Sequence, residues 1–246
     1  MIADIKTIMW KDSKGLLRRG DNRARTIFTL LTPVVLFGVV FPIQFRDEWL
    51  FTGWSIVIAI ITPFILISMA IPESFAGERE RHTLETLLAS RLPDRAIYFG
   101  KLLNAIVYGY GMTLLLLLIS LVVYNLVQWT GQFQIFELKI LLADISVGLL
   151  MSGMVASLGI LISLRAPTVQ SAQQTLMAVL LFPLLLVQVA GFLLPTLLPK
   201  ETVRDFLQGI DYLQILYISL AFLLVANVGF LLIGMKRFTR AKLSLD

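Results

Sequence analysis

Three polar side chains lie inside long apolar stretches of this sequence, where they could contact a solute. Asp144 follows the start of one stretch, and Gln188 and Asn227 fall near the middle of two others. A carboxylate inside a membrane costs about 3 kcal/mol unless it is paired or hydrated, so a position on a translocation path is one interpretation. The alternatives are an interfacial position for Asp144 and interhelical hydrogen bonds for the two amides.

Residue types that support catalysis or metal binding are scarce. The chain has no cysteine and a single histidine, His82, so it offers neither a thiol nucleophile nor a histidine-rich metal site. The pair Gly100-Lys101 is followed by Leu102 and lacks the earlier glycine of a phosphate-binding loop. We therefore expect no catalytic residue, no metal site and no cofactor on this chain.

A polar segment at residues 73–101 carries the pattern most typical of a recognition element. Leu84, Leu87 and Leu88 follow an i, i+3, i+4 spacing, which places them on one face of a short helix. Polar and charged residues accompany this stripe: Glu78, Arg79, Glu80, Arg81, Thr83 and Glu85. Pro93 predicts the end of the short helix and the start of the next one. The leucines could enter a groove on another protein or pack on the headgroup layer or the chain's own helices, and the pattern favours neither.

The elements that must position these residues are apolar stretches of membrane-spanning length. Hydrophobic residues make up 57% of the chain and charged residues 15%, whereas about 25% is usual for a soluble domain. Lipid offers no partner to a backbone amide, so each stretch must be a helix. The sequence predicts an all-α integral membrane fold, a single transmembrane domain over residues 1–246. Its six spans are 26–43, 54–72, 102–127, 140–164, 175–198 and 212–235.

The basic residues predict how these spans are oriented. With both termini on the cytoplasmic side, seventeen of the 21 Lys and Arg residues are cytoplasmic, as the positive-inside rule requires. Residues 1–25 are basic and carry apolar residues near helical spacing, which predicts an amphipathic helix lying on membrane lipids. This distribution explains the net charge of +5 without a nucleic-acid partner. Residues 199–211 could be interfacial or re-entrant.

The segment at 73–101 resembles the signature of the type-2 class of ABC transporter permeases, the export class. The matching residues are Phe75, Ala76, Glu78, Arg79, Glu80, Arg81, Thr83, Leu84, Glu85, Leu87, Leu88, Ala89, Ser90, Pro93, Gly100 and Lys101. The opening Trp10-Lys11-Asp12 with Leu16-Leu17-Arg18 resembles the same family. One departure is His82, which stands where the family commonly has glycine.

The resemblance implies a permease subunit of an ATP-driven exporter in the cytoplasmic membrane. Residues 73–101 would hold a coupling helix that docks on a separate ATP-binding-cassette subunit, which would bind ATP and Mg²⁺. Arg165 and Gln170 would belong to a second, smaller contact. A second permease subunit, either an identical chain or a close paralogue, would complete the membrane domain. The alternative is a channel or secondary transporter without an ATPase, which usually has ionisable residues at the midplane. The sequence does not identify the cargo.

Overall fold

A computed structural model of the chain describes residues 1–17, 31–129, 131–197 and 212–238. Within these ranges every regular element is a helix. They are α1 (Ile2–Leu17), α2 (Leu31–Phe45, with a π-helical stretch at Val34–Val40), α3 (Asp47–Phe51), α4 (Ile56–Ala70), α5 (Ala76–Glu80), α6 (Leu84–Leu88), α7 (Asp94–Val127), α8 (Leu138–Ser163), α9 (Val169–Leu197) and α10 (Tyr212–Arg237). A 3₁₀ turn, Ile71–Ser74, joins α4 to α5.

Five helices in the described part of the chain are long and apolar enough to cross a membrane. They are Ile56–Glu80, Asp94–Val127, Leu138–Ser163, Val169–Leu193 and Leu213–Arg237. They correspond to the second to sixth predicted spans. Residues 26–30 of the first predicted span lie outside the described residues, and Leu31–Phe45 is a shorter apolar helix. The segment 199–211 and residues 18–25 also lie outside them.

The third predicted span begins earlier than its apolar residues indicate. Helix α7 starts at Asp94, where Pro93 has an extended ψ of 144° and serves as the N-cap, as the sequence predicted. Its 34 residues correspond to about 51 Å of helix, more than the roughly 30 Å of hydrocarbon that a bilayer presents. The first turns of α7 therefore extend beyond the apolar layer, on the side predicted to be cytoplasmic.

Helix α8 lies at the centre of the bundle and packs against α4, α7 and α10. Its packing surface is made of small residues, among them Ser152, Ala156 and Ser157, which are at most 1% exposed. Small side chains allow helix axes to approach closely, which is how membrane helices gain packing energy without a hydrophobic driving force. In contrast, residues 181–193 of α9 are exposed on this single chain.

One end of the bundle lies opposite the first turns of α7 and is formed by residues 45–55 and 128–137. Aromatic and polar contacts stabilise this end. Phe45 stacks on Trp54 with ring centroids 4.8 Å apart, and Tyr124 Oη donates a hydrogen bond to Asp47 Oδ1 at 2.6 Å. Asn125 exchanges hydrogen bonds with the backbone of Gln134 at 2.7 and 2.8 Å. Aromatic side chains are typical of membrane–water boundaries, which agrees with the predicted outer position of this end.

Candidate functional site

The candidate site is the connection between α4 and α7, which contains the two short helices α5 and α6. His82 lies between α5 and α6 with φ 55°, a left-handed conformation that favours glycine, the residue that the resembling family commonly has at this position. Leu84 and Leu87 are 7% and 8% exposed and belong to the main apolar core of the chain. The exposed residues of α6 include Glu85 and Thr86.

The leucine stripe therefore contacts the chain itself at two of its three positions. Of the two interpretations that the pattern left open, packing on the chain's own helices describes Leu84 and Leu87. The side chain of Leu88 is not among those that the structure describes. Among the described side chains of α6, those exposed to another protein are the polar Glu85 and Thr86.

Arg79 ties this connection to the end of α8. Its guanidinium donates one hydrogen bond to the carbonyl of Ala166 at 2.6 Å and another to that of Leu164 at 2.9 Å. Carbonyls at a helix C-terminus lack intrahelical partners and carry partial negative charge, so a forked cation is a favourable cap. The side chain predicted to contact a partner thus holds the α8–α9 connection.

Glu80 makes the complementary contact at the start of α9. Its Oε1 accepts a hydrogen bond from the backbone amide of Val169 at 2.9 Å. A carboxylate at a helix N-terminus is stabilised by the unpaired amides and the positive end of the dipole. Neighbouring Arg79 and Glu80 therefore cap two successive helices with charges of the correct sign. We call this pair of caps the clasp.

Buried Ser163 adds a third link beside the clasp. Its hydroxyl donates to the carbonyl of Pro72 at 2.7 Å and accepts from the amides of Phe75 and Ala76 at 3.2 and 3.0 Å. Ser163 is 0% exposed, and Ala76 packs in a small cluster with Ala166 and Ala172. The two connections that were predicted to face the cytoplasm therefore form one continuous structure.

Lys101 joins the same connection to the N-terminal helix. Its side chain is 2% exposed, and its ammonium lies 3.2 Å from Glu78 Oε1 and 3.5 Å from Asp12 Oδ2. It also donates a hydrogen bond to the carbonyl of Ser74 at 2.6 Å. A buried ammonium needs such partners because its desolvation is otherwise costly. Lys101 thus links α1, the α4–α5 turn and α7.

Helix α1 packs closely on the first turns of α7. Ile8 is 3% exposed, and a Cβ built on Gly100 would lie 2.8 Å from the Cβ of Ile8. Only a residue without a side chain allows this approach. Ser13 Oγ donates to Asn104 Oδ1 at 2.7 Å, and Lys11 Nζ lies 2.9 Å from Glu78 Oε1. Protein covers one face of the predicted interfacial helix.

The remaining predicted contact residues lie around these links. Arg81 pairs with Glu73 at 2.9 Å, and Thr83 Oγ1 donates to the carbonyl of Glu78 at 3.3 Å. Arg165 is exposed between the two residues whose carbonyls Arg79 caps, and Gln170 is exposed next to Val169. The exposed residues of α6, Arg165 and Gln170 are therefore accessible on this chain, and their role as a partner contact stays a prediction.

The three residues predicted for a translocation path do not come together. Asp144 is 0% exposed, and Ser55 Oγ donates a hydrogen bond to its Oδ2 at 2.6 Å. Asn227 Nδ2 donates to the carbonyl of Leu150 at 2.8 Å, as the interhelical alternative describes. Gln188 is exposed on α9. A path role for them remains a prediction.

Sequence reasoning missed Ser163 altogether, and it considered Lys101 only in the test for a phosphate-binding loop and as part of the family signature. A lysine within the first turns of a spanning helix was one available signal, because such a side chain either reaches headgroups or finds carboxylates. Ser163 gives no such signal, since a serine at the end of an apolar helix is common. Among the described residues, no group of three or more His, Asp or Glu side chains could hold a metal ion.

Comparison with known proteins gives one finding. A family model described as "ABC-2 type transporter" matches residues 3–226 of the chain. The match covers α1, the whole candidate site and all but the last turns of α10. No curated protein and no solved structure matches the chain.

Proposed function

Because this chain belongs to the ABC-2 type transporter family, we propose that it is the permease subunit of an ATP-binding-cassette exporter. It is a multi-pass membrane protein, and the family is a membrane transport component rather than a catalytic one. The finer parts of the proposal are that a separate ATPase subunit docks on it, that two permease subunits pair, and that both termini are cytoplasmic.

The observation that carries the proposal is the clasp formed by Arg79 and Glu80. It attaches α5, the short helix that leads directly into α6, to the ends of α8 and α9, while Lys101 attaches α5 to α1 and α7. A push on the exposed side of α6 would therefore move several spanning helices together. A permease needs such a linkage, because ATP-driven closure occurs in another subunit and must reach the membrane helices.

The exposed polar residues of α6 are the proposed contact with the ATPase. Glu85 and Thr86 point outward, and Arg165 and Gln170 lie on the neighbouring connection. Leu84 and Leu87 position this helix from beneath. Substituting the leucines with Asp would therefore disrupt the chain's own packing, whereas Glu85→Lys would disturb the contact alone.

Pairing of two permease subunits is supported by the exposure of α9 and α10. Three apolar residues of α9 are largely exposed: Leu186 at 54%, Val187 at 72% and Phe192 at 77%. Many apolar residues of α10 are exposed as well. Lipid or a second chain would cover these residues. In the proposed dimer the second permease covers part of this face, and rigid movement of the two bundles opens a path between them.

Affinity purification from the native membrane in mild detergent tests the proposal. We expect a near-stoichiometric soluble protein with a phosphate-binding loop to remain bound to the wild-type chain. The Glu85→Lys variant should lose this protein while inserting normally. Recovery of the chain alone, or only with copies of itself, would contradict the exporter assignment and favour a channel or secondary transporter.

A further inference from the structure

The C-terminal end of α10 is buried against the candidate site. Phe238 follows the last turn of this helix and is 4% exposed, and its amide donates a hydrogen bond to the carbonyl of Gly234 at 2.9 Å. The centroid of its ring lies 5.3 Å from that of Phe75 and 6.1 Å from that of Tyr98. Phe75 lies directly before α5, and Tyr98 lies in the first turns of α7. The end of α10 therefore contacts both the α4–α7 connection and the helix that follows it.

Gly234 allows α10 to approach α7 this closely. A Cβ built on Gly234 would overlap Tyr98 Oη and would lie 2.9 Å from Tyr98 Cζ. Because the Tyr98 side chain is rigid and only 1% exposed, a side chain at position 234 would have to displace its packed ring. Tyr98 Oη is buried without a hydrogen-bond partner among the described residues, so packing holds the ring in place. We call the cluster of Phe75, Tyr98, Gly234 and Phe238 the α10 joint.

Phe75 connects the α10 joint to the links of the candidate site. The ammonium of Lys101 lies 4.9 Å from the centroid of the Phe75 ring, where a cation is attracted to the π electrons. The Phe75 amide donates a hydrogen bond to Ser163 Oγ at 3.2 Å. Phe75 is 0% exposed, so it cannot shift without moving these neighbours. A displacement of the α4–α7 connection therefore reaches Phe238 through direct contact.

The remainder of α10 is less enclosed by the chain. Among residues 213–237, only Leu223 and Gly234 are buried. The hydrogen bond from Asn227 Nδ2 to the carbonyl of Leu150 attaches the middle of α10 to α8. In contrast, Phe222 is 69% exposed, on a face that lipid or a second chain would cover. Contact with α8 thus positions the middle of α10, and the α10 joint positions its end.

We propose that Phe238 is a positioning residue that transmits displacement of the α4–α7 connection to α10. When the connection moves, Phe75 and Tyr98 carry the Phe238 ring with them, and the end of α10 follows. The joint thereby links the ATPase contact to the exposed face that a second permease covers. This inference rests on the proposed function, because the displacement originates in the ATPase. The family match ends at residue 226, so Gly234 and Phe238 lie beyond the matched residues.

Distances between paired spin labels in the purified complex test this role. The chain has no cysteine, so label pairs can be introduced at exposed positions. Leu232→Cys with Phe133→Cys reports on the end of α10, and Thr86→Cys with Phe133→Cys reports on the α4–α7 connection. Each distance is measured without nucleotide and after ATP with vanadate has trapped the closed ATPase. With no further substitution, we expect both distances to shift by about 2 Å or more.

Phe238→Ala should separate the two shifts. It should abolish the shift at Leu232 and leave the shift at Thr86 unchanged, because the clasp and Lys101 still hold the connection. Phe222→Ala is the matched control, since Phe222 is largely exposed on the same helix, and it should leave both shifts unchanged. Damage to the fold alone would reduce both shifts together.

A pair of glycine substitutions tests the joint without shortening any side chain. Gly234→Ala displaces the Tyr98 ring and should also abolish the shift at Leu232 while the shift at Thr86 remains. Gly229→Ala is its matched control on the same helix, because a Cβ built on Gly229 has no atom within 4 Å. This control should leave both shifts unchanged.

Retention of the ATPase is measured first, and it distinguishes failure of the proposed function from failure of this inference. If the wild-type chain retains no ATPase, the proposed function is wrong and the inference falls with it. If the ATPase is retained but Leu232 does not shift, or shifts equally in Phe238→Ala, only the inference is wrong. Loss of both shifts in Phe238→Ala and in Gly234→Ala would assign the joint a purely structural role and would also overturn the inference.

Discussion

Replacing Lys101 with Met removes the charge that joins α1 to the α4–α7 connection. The ammonium lies 3.2 Å from Glu78 Oε1 and 3.5 Å from Asp12 Oδ2, and its side chain is 2% exposed. Methionine fills a similar volume but leaves both carboxylates and the Ser74 carbonyl without this cation. Breaking a buried pair by removing one partner costs about 3–5 kcal/mol. Lys101→Met should therefore be one of the most destabilising substitutions at this site.

Thermal unfolding of the purified chain in detergent measures this cost. One kcal/mol corresponds to about 2–4 °C in a chain of this length, so we expect Lys101→Met to lower the midpoint by about 10 °C. Lys11→Met is the matched control: Lys11 contacts the same Glu78, but its side chain is 55% exposed. An exposed ion pair contributes about 0–1 kcal/mol, so the control should shift by less than about 4 °C.

A second substitution separates the lost charge from lost packing. In the double variant Lys101→Met/Glu78→Gln, the carboxylate of Glu78, which would otherwise lose its buried partner Lys101, is replaced by a neutral amide. The double variant should therefore unfold at a higher temperature than the sum of the single shifts predicts. If Lys101→Met shifts the midpoint no more than Lys11→Met, or if the two single shifts simply add, the assignment of Lys101 as the buried link is wrong.

Three further predictions concern the clasp, the turn and the buried carboxyl. Arg79→Ala removes two charge-assisted hydrogen bonds, so amides at residues 164–169 should exchange with deuterium at least about tenfold faster; unchanged exchange would contradict the clasp. His82→Gly relieves a φ of 55° and should raise the unfolding midpoint by a few degrees, worth about 1 kcal/mol, whereas a lower midpoint would show that the imidazole itself stabilises the turn. Asp144→Asn keeps an acceptor for Ser55 and should unfold close to wild type, while Asp144→Leu leaves that hydroxyl unsatisfied and should cost about 1–3 kcal/mol; equal midpoints would refute this.

Hydropathy and proline chemistry made the membrane helices predictable. Long apolar stretches identify spans because no other structure satisfies backbone amides in lipid, and five described helices match them. Pro93 marked the start of α7 correctly, since its ring fixes φ and its missing N–H is harmless at a helix start. Hydropathy alone did not indicate these first turns of α7, because polar turns outside the hydrocarbon carry no hydropathy signal.

The contacts of the candidate site were less predictable for a physical reason. The spacing of Leu84, Leu87 and Leu88 fixes one apolar face, but it does not say which surface that face meets. Burial of Leu84 and Leu87 against the chain's own core depends on helices distant in sequence. Arg79 and the Ala166 carbonyl are likewise 87 positions apart, and nothing local indicates their pairing.

Site-directed cross-linking from α6 tests the central claim most directly. The chain has no cysteine, so Thr86→Cys provides a single exposed attachment point for a photoactivatable cross-linker. Phe133→Cys is the control, because Phe133 is 58% exposed at the opposite end of the bundle. In native membranes we predict that Thr86→Cys captures a protein with a phosphate-binding loop and that Phe133→Cys does not. Capture of no such protein from Thr86, or equal capture from both positions, would contradict the assignment of α6 as the ATPase contact.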